Sequence, residues 1–268
     1  HILDTKAMSD PDLEDGYFKG YEWLTNPSAG TGKQVSKAAV LTESELTGVI
    51  FLNSQSGSDE NDGATAKTAV KTPEKAIELA IAGGQEKPLD IYVLSILTLS
   101  EDLDGQGTMF IRERKFCTDT MVQIAGKANV KLTNITIDGG NRPTQQVTST
   151  DSMVKVEKAD LTLGEGAVLQ NNFRKGGNDQ AGGGGLYVSN GKVTMENGAV
   201  IQNCQALIHG GGVSLMEDAV LVMNAGSKIT GNSVTTNREH SGGGGIFAGY
   251  NASVEPNAGC EVYNNSAY

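Results

Sequence analysis

From residue 121 onward, apolar and polar positions alternate in short runs that recur at a nearly fixed spacing. Five openings read MVQI (121–124), MVKV (153–156), GLYV (185–188), GVSL (212–215) and GIFA (245–248). Their last residues, Ile124, Val156, Val188, Leu215 and Ala248, step by 32, 32, 27 and 33. A second apolar run follows each opening: NVKL, DLTL, KVTM, AVLV and ASVE. A third ends on a polar stop, at Gly140, Asn172, Cys204, Asn232 and Asn265, which step by 32, 32, 28 and 33. Two independent anchors therefore return nearly the same period, the mark of stacked repeats. The runs alternate with period two and carry no helical periodicity. Three short strands per unit predict a right-handed parallel β-helix. A leucine-rich repeat needs a different consensus, and a propeller blade runs longer, at about 40–45 residues.

Alternation assigns the faces. Val122/Ile124, Val154/Val156, Leu186/Val188, Val213/Leu215 and Ile246/Ala248 are expected inside, stacked coil on coil. Gln123, Lys155, Tyr187, Ser214 and Phe247 are expected outside. Asn172, Asn232 and Asn265 should point inward as a ladder whose amides satisfy turn backbone groups. The glycine runs at 182–185, 210–212 and 242–245 suit the sharp corner before each first strand.

Residues 1–46 read as an irregular, acidic lead-in whose rings (Tyr17, Phe18, Tyr21 and Trp23) pack on the solenoid flank, and 47–268 as the β-helix proper. Residues 48–54 read as a strand. TPEKAIELAIAGG (72–84) reads as a helix with Thr72 as N-cap, Pro73 in its first turn, an apolar stripe of Ala76, Ile77, Ala80 and Ile81, and a stop at Gly83–Gly84. It is placed as a cap over the first coil, because an open solenoid end exposes unpaired edges. Residues 89–120 should form less regular first coils. The last coil runs to the final residues, so either more of a longer chain or a partner is expected to cover that end.

The run VIFLNSQSGSDENDGATAKTAVKTPEKAIELA (49–80) resembles the opening of extracellular right-handed β-helix proteins of the pectin-lyase-like superfamily. The glycine-led openings and the polar stops are similar to repeats of bacterial polymorphic outer-membrane proteins and β-helical cell-surface adhesins. The resemblance implies the fold and an extracellular or cell-surface setting. It does not imply one activity, because the superfamily holds lyases, glycoside hydrolases, tailspikes and adhesins. No pectate-lyase or polygalacturonase catalytic string is present, so no catalytic residue is carried over.

Composition narrows the partners. The net charge is −11 and the pI about 4.8, which argues against a nucleic-acid partner. Glycine reaches 35 of 268 residues, which the corners explain. Cys117, Cys204 and Cys260 form no metal or disulfide pattern and read as small buried hydrophobes. No apolar run is long enough to span a membrane.

Candidate chemistry gathers in the segments between each polar stop and the next first strand: 141–152, 173–182, 205–209 and 233–241. Stacked along one edge, they bring Arg174, His209, Arg238 and His240 beside the outward Tyr187 and Phe247 as ligand-binding candidates. Asp151, Asp179 and Glu239 are the catalytic candidates. Carboxylates at equivalent places on adjacent coils lie about 5 Å apart, and two coils apart about 10 Å. Retaining glycosidases need about 5–5.5 Å and inverting ones about 6.5–9.5 Å. Asp151 and Asp179 suit the first, and Asp179 with Glu239 sits near the limit of the second. A weaker option is a lyase-like cluster of Asp151, Asp179 and Arg174 around calcium. The reading that follows is an adhesin-like module contacting glycans or a host surface along this edge. The alternatives are a glycan-cleaving enzyme, such as a lacto-N-biosidase-type hydrolase or a polysaccharide lyase, and a structural stalk.

Overall fold

The computed structural model describes residues 48–143, 146–176, 182–236 and 241–267, together with the backbone of the strands Phe18–Thr25 and Gln34–Val40, which pair antiparallel. The expected ring packing of Tyr17, Phe18, Tyr21 and Trp23 lies outside the described side chains.

The five repeats are coils of a parallel β-solenoid. The first strands Val122–Ala125, Val154–Glu157, Leu186–Ser189, Val213–Met216 and Ile246–Ala248 join Leu97–Thr98 in one parallel sheet. Its register aligns Val122, Val154, Leu186, Val213 and Ile246, the same alignment the repeat period sets. Register is fixed here because a one-residue slip would turn every apolar side chain outward. Val122, Ile124, Val154, Val156, Leu186, Val188, Val213 and Leu215 are all buried. Each such side chain contributes roughly 1.5–3 kcal/mol relative to exposure.

The second and third strands belong to one twelve-stranded sheet, because in the first regular coil they are a single strand, Asn129–Asp138. That strand turns at Asn134, whose backbone is left-handed (φ 48°). Strands Val49–Leu52, Asp90–Val93 and Leu103–Arg112 extend the same sheet toward the N-terminus. The coils also carry a fourth strand, absent from the sequence reading. Thr148–Ser149, Phe173–Arg174, Gln205–Ala206 and Ser233–Val234 stack in parallel as a four-stranded sheet. Two residues are too few to show alternation, so these strands read as loop.

The asparagine ladder forms. Asn232 is fully buried and donates from Nδ2 to Ile201 O (3.1 Å) and Asn265 Oδ1 (3.0 Å), while its Oδ1 accepts from Cys204 N (2.9 Å). Asn265 Oδ1 accepts from Asn232 N (2.9 Å) in turn, and its Nδ2 donates to Ile229 O (2.9 Å). Asn172 donates to Gly184 O and Ser149 Oγ. Cys204 takes the rung between them. Burial pushes its thiol up to about 12, against a hydrogen bond from the Asn172 backbone, so it is an inert part of the ladder. The buried Arg112 closes the N-terminal end, giving Nη2 to Asn172 Oδ1 (3.1 Å) and Nη1 to Cys117 O and Asp119 O. Cys117, Cys204 and Cys260 are free thiols.

Helix Pro73–Gly83 packs Ala76, Ile77 and Ala80 against the N-terminal end of the solenoid, at strands Val49–Leu52, Asp90–Val93 and Leu103–Arg112, as a cap should. Thr72 caps it by accepting from Lys75 N. One stripe position is corrected: Ile81 is 40% exposed, and Leu79 packs on the core. The opposite end differs. In the last coil Ile246 and Val254 are half-buried, Ala248 is exposed, and Val262 and Tyr263 are 51% and 43% exposed. No described helix is long and apolar enough to cross a membrane.

Candidate functional site

The outer face of the first sheet gathers several predicted residues. Lys155 Nζ bonds Asp151 Oδ2 (3.1 Å), sits 4.0 Å from Glu157 Oε1 and lies 5.6 Å from the centre of the Tyr187 ring. Arg174 Nε lies 3.9 Å from the other Asp151 oxygen. Period-two alternation sets Lys155 and Tyr187 on this face, and the fourth strand delivers Arg174 beside Asp151. Gly182 is required there, since a Cβ would meet the Arg174 guanidinium at 2.5 Å. Partial burial depresses Lys155, but the hydrogen bond and charge of Asp151, with Glu157, outweigh it and hold the ammonium above its ordinary value. Burial also raises Tyr187, against a hydrogen bond from Ser189, and the charges of Glu217 and Glu157 add to the rise. Both groups are protonated across the physiological range.

One coil beyond Tyr187, Ser214 departs from expectation. It lies at an outward register position yet is fully buried, with Gly183 and Gly210 close against its backbone N. One coil further, Phe247 stacks on His209 with ring centroids 4.2 Å apart and planes 24° apart. Below this row, Glu217 Oε2 accepts from Ser189 Oγ (2.7 Å) and Asn190 Nδ2 (2.8 Å).

Thus the structure brings Asp151, Arg174 and Tyr187 together around Lys155 and sets His209 on Phe247. Asp179, Arg238, Glu239 and His240 lie outside the described residues, and with them both carboxylate pairs and the calcium cluster. Asp151 itself is engaged by Lys155 and Arg174. Among the described residues, no group of three or more His, Cys, Asp or Glu could hold a metal ion.

A second arrangement occupies the corner between the third and fourth strands. A groove of about 580 Å³ is lined by Asn141, Arg142, Pro143, Gln146, Asn171, Asn203, Gln205 and Gly231. These residues come from successive coils, so the groove runs along the solenoid axis. Its floor is anchored by Asp138, whose side chain is 1% exposed. The carboxylate accepts from Gly140 N (2.7 Å), Arg142 Nη1 and Nη2 (2.8 and 3.1 Å), Gln170 Nε2 (2.9 Å) and Asn171 Nδ2 (2.8 Å). Gln202 Nε2 continues the row onto Gln170 Oε1 (2.9 Å).

The sequence reading missed Asn171, Asn203, Gln205, Gln146 and Gly231 here, and Glu157, Ser189 and Glu217 on the first-sheet face. A signal for the groove was present. Gly139 precedes the first polar stop, and the other four are preceded by Asn171, Asn203, Gly231 and Asn264, an asparagine row broken once by glycine. All four have left-handed backbones (φ 56°, 53°, 67° and 53°), which hold their side chains at the corner.

Fold and surface together define a helix-capped parallel β-solenoid that carries polar and aromatic side chains on two sides of its coils. Comparison with known proteins finds no matching family model, no matching curated protein and no matching solved structure. Function is therefore argued from the surface alone.

Proposed function

We propose that this chain is an extracellular or cell-surface module that contacts glycans along its loop-bearing side, in the manner of an adhesin, without cleaving them. The observation that carries this reading is the convergence of Asp151, Lys155, Arg174 and Tyr187 on one rigid face, two coils from the His209–Phe247 stack. Coils repeat at about 4.8 Å, so the two aromatic positions stand about 10 Å apart along the axis. Aromatic faces accept the C–H face of a sugar ring, and the charged cluster on the coil before Tyr187 supplies hydrogen bonds at fixed positions. Asp151 is held in place by Lys155 and Arg174. Loops held on a rigid scaffold are a common place for recognition.

A glycan array on this chain, with a parallel assay for released sugar on every glycan that binds, tests the reading. Binding without release is expected. Tyr187→Ala and Phe247→Ala should each weaken it by roughly five- to tenfold. Release of sugar would replace this reading with the hydrolase, and Asp151→Asn and Asp179→Asn would then be the next variants. Silence in both assays would favour the stalk.

A further inference from the structure

The groove at the corner of the third and fourth strands has a different chemistry from the first-sheet face. Among the described residues its lining contains one charged side chain, Arg142, and that charge is matched by the buried Asp138 through two hydrogen bonds. The other polar walls are side-chain amides. Asn171 spends its Nδ2 on Asp138, and its Oδ1 takes part in no hydrogen bond among the described residues. Asn141 uses its Oδ1 to accept from Val147 N and keeps its Nδ2. The Asn203, Gln205 and Gln146 amides make no hydrogen bonds among the described residues. Each amide offers both donors and an acceptor. Pro143 adds a small apolar patch.

We propose that this groove is a second, separate site for an uncharged sugar. A pyranose presents adjacent hydroxyls that both donate and accept, the pattern an amide-lined wall satisfies. A carboxylated sugar finds no unmatched cation among the described lining residues, and Asp138 lies beneath. A peptide finds no strand edge to extend, because the neighbouring fourth strands Phe173–Arg174 and Gln205–Ala206 are each paired on both sides. The volume of about 580 Å³ falls within the range of small-ligand pockets.

One substitution in the chain opens the groove. Gly231 stands where adjacent coils carry Asn203 and Asn264, and Asn203 Oδ1 leans to within 2.6 Å of where a Cβ on Gly231 would sit. Gly231→Asn installs the residue those coils already use at the same left-handed backbone. It fills the groove on a backbone asparagine already adopts in this chain, with the Asn203 amide turning aside from the new Cβ.

The experiment is saturation-transfer NMR followed by titration of the chain with matched sugars: glucose against glucuronic acid, galactose against galacturonic acid, with N-acetylglucosamine as a further neutral probe. At least one neutral sugar should bind, and more tightly than its uronic acid partner. Gly231→Asn should weaken that binding by about tenfold or more with an unchanged melting temperature. Gln205→Ala, which has no backbone strain to relieve, should weaken it about three- to tenfold. The loss caused by Gly231→Asn should be the same in a Tyr187→Ala background, which separates this site from the first-sheet face. Binding to no neutral sugar, preference for the uronic acids, or full binding by a folded Gly231→Asn variant would overturn the proposal. If Gly231→Asn does not fold, unaltered binding by Gln205→Ala and Gln146→Ala would do the same.

Discussion

Two sides of the same coils hold their carboxylates in opposite ways. At the third-strand corner, Asp138 is shut away from solvent and every donor around it is within 3.1 Å. On the first-sheet face, Asp151 is a third exposed and its two cations stand at 3.1 and 3.9 Å. A buried carboxylate of the first kind is an internal strut, and removing it strands the donors. An exposed pair of the second kind is screened by water and contributes little to folding. The same ion-pair chemistry therefore serves architecture on one side and surface display on the other. The sharpest test is Asp138→Ala. It should cost about 3 kcal/mol in denaturant unfolding, the low end for breaking a buried pair, because the half-exposed Arg142 can turn to water. A loss under about 1 kcal/mol would erase the distinction between the two sides.

The complementary change is Asp151→Asn. It should cost less than about 1 kcal/mol in the same measurement. It should nevertheless alter glycan binding on the face, because Lys155 and Arg174 lose the anion that positions them. A stability loss matching that of Asp138→Ala would mean that Asp151 is a strut as well, and would weaken the case for a displayed surface.

How much of this was legible in the chain follows from the length of each signal. The coils were readable because four-residue alternations such as Val154–Lys155–Val156–Glu157 recur at one period, and burial then enforces them. The ladder at Asn172, Asn232 and Asn265 was readable for the same reason. The fourth strands were not, because Phe173–Arg174 or Ser233–Val234 is too short to alternate. Their omission hid what places Arg174 against Asp151. Ser214 was set outward by alternation and is fully buried, with Gly183 of the preceding coil close against its backbone, a packing no local pattern encodes. The stop residues drew notice, while the row one place before them, where Gly231 interrupts the asparagines, lines the groove. Ile81 failed as a stripe residue because the core-facing stripe runs through Ala76, Ile77, Leu79 and Ala80.

The smallest expected effect separates the two sides by pH. Lys155 and Tyr187 both hold their protons more tightly in the folded chain, from ordinary values of 10.5 and 10.0. A proton held more tightly when folded stabilises the fold fully below the unfolded value, and that contribution is lost as pH rises through the folded value. The first-sheet face should therefore add to the alkaline loss of stability above about pH 10. The contribution is discounted by solvent to less than about 1 kcal/mol. Unfolding midpoints measured from neutral pH upward should fall less steeply in a Lys155→Met, Tyr187→Phe double variant than in the wild type. Gln170→Ala, at the corner, should lower the whole curve without changing its alkaline slope. An unchanged slope in the double variant would show that the face titrates alike folded and unfolded, and that Asp151 and Lys155 are not coupled in solution.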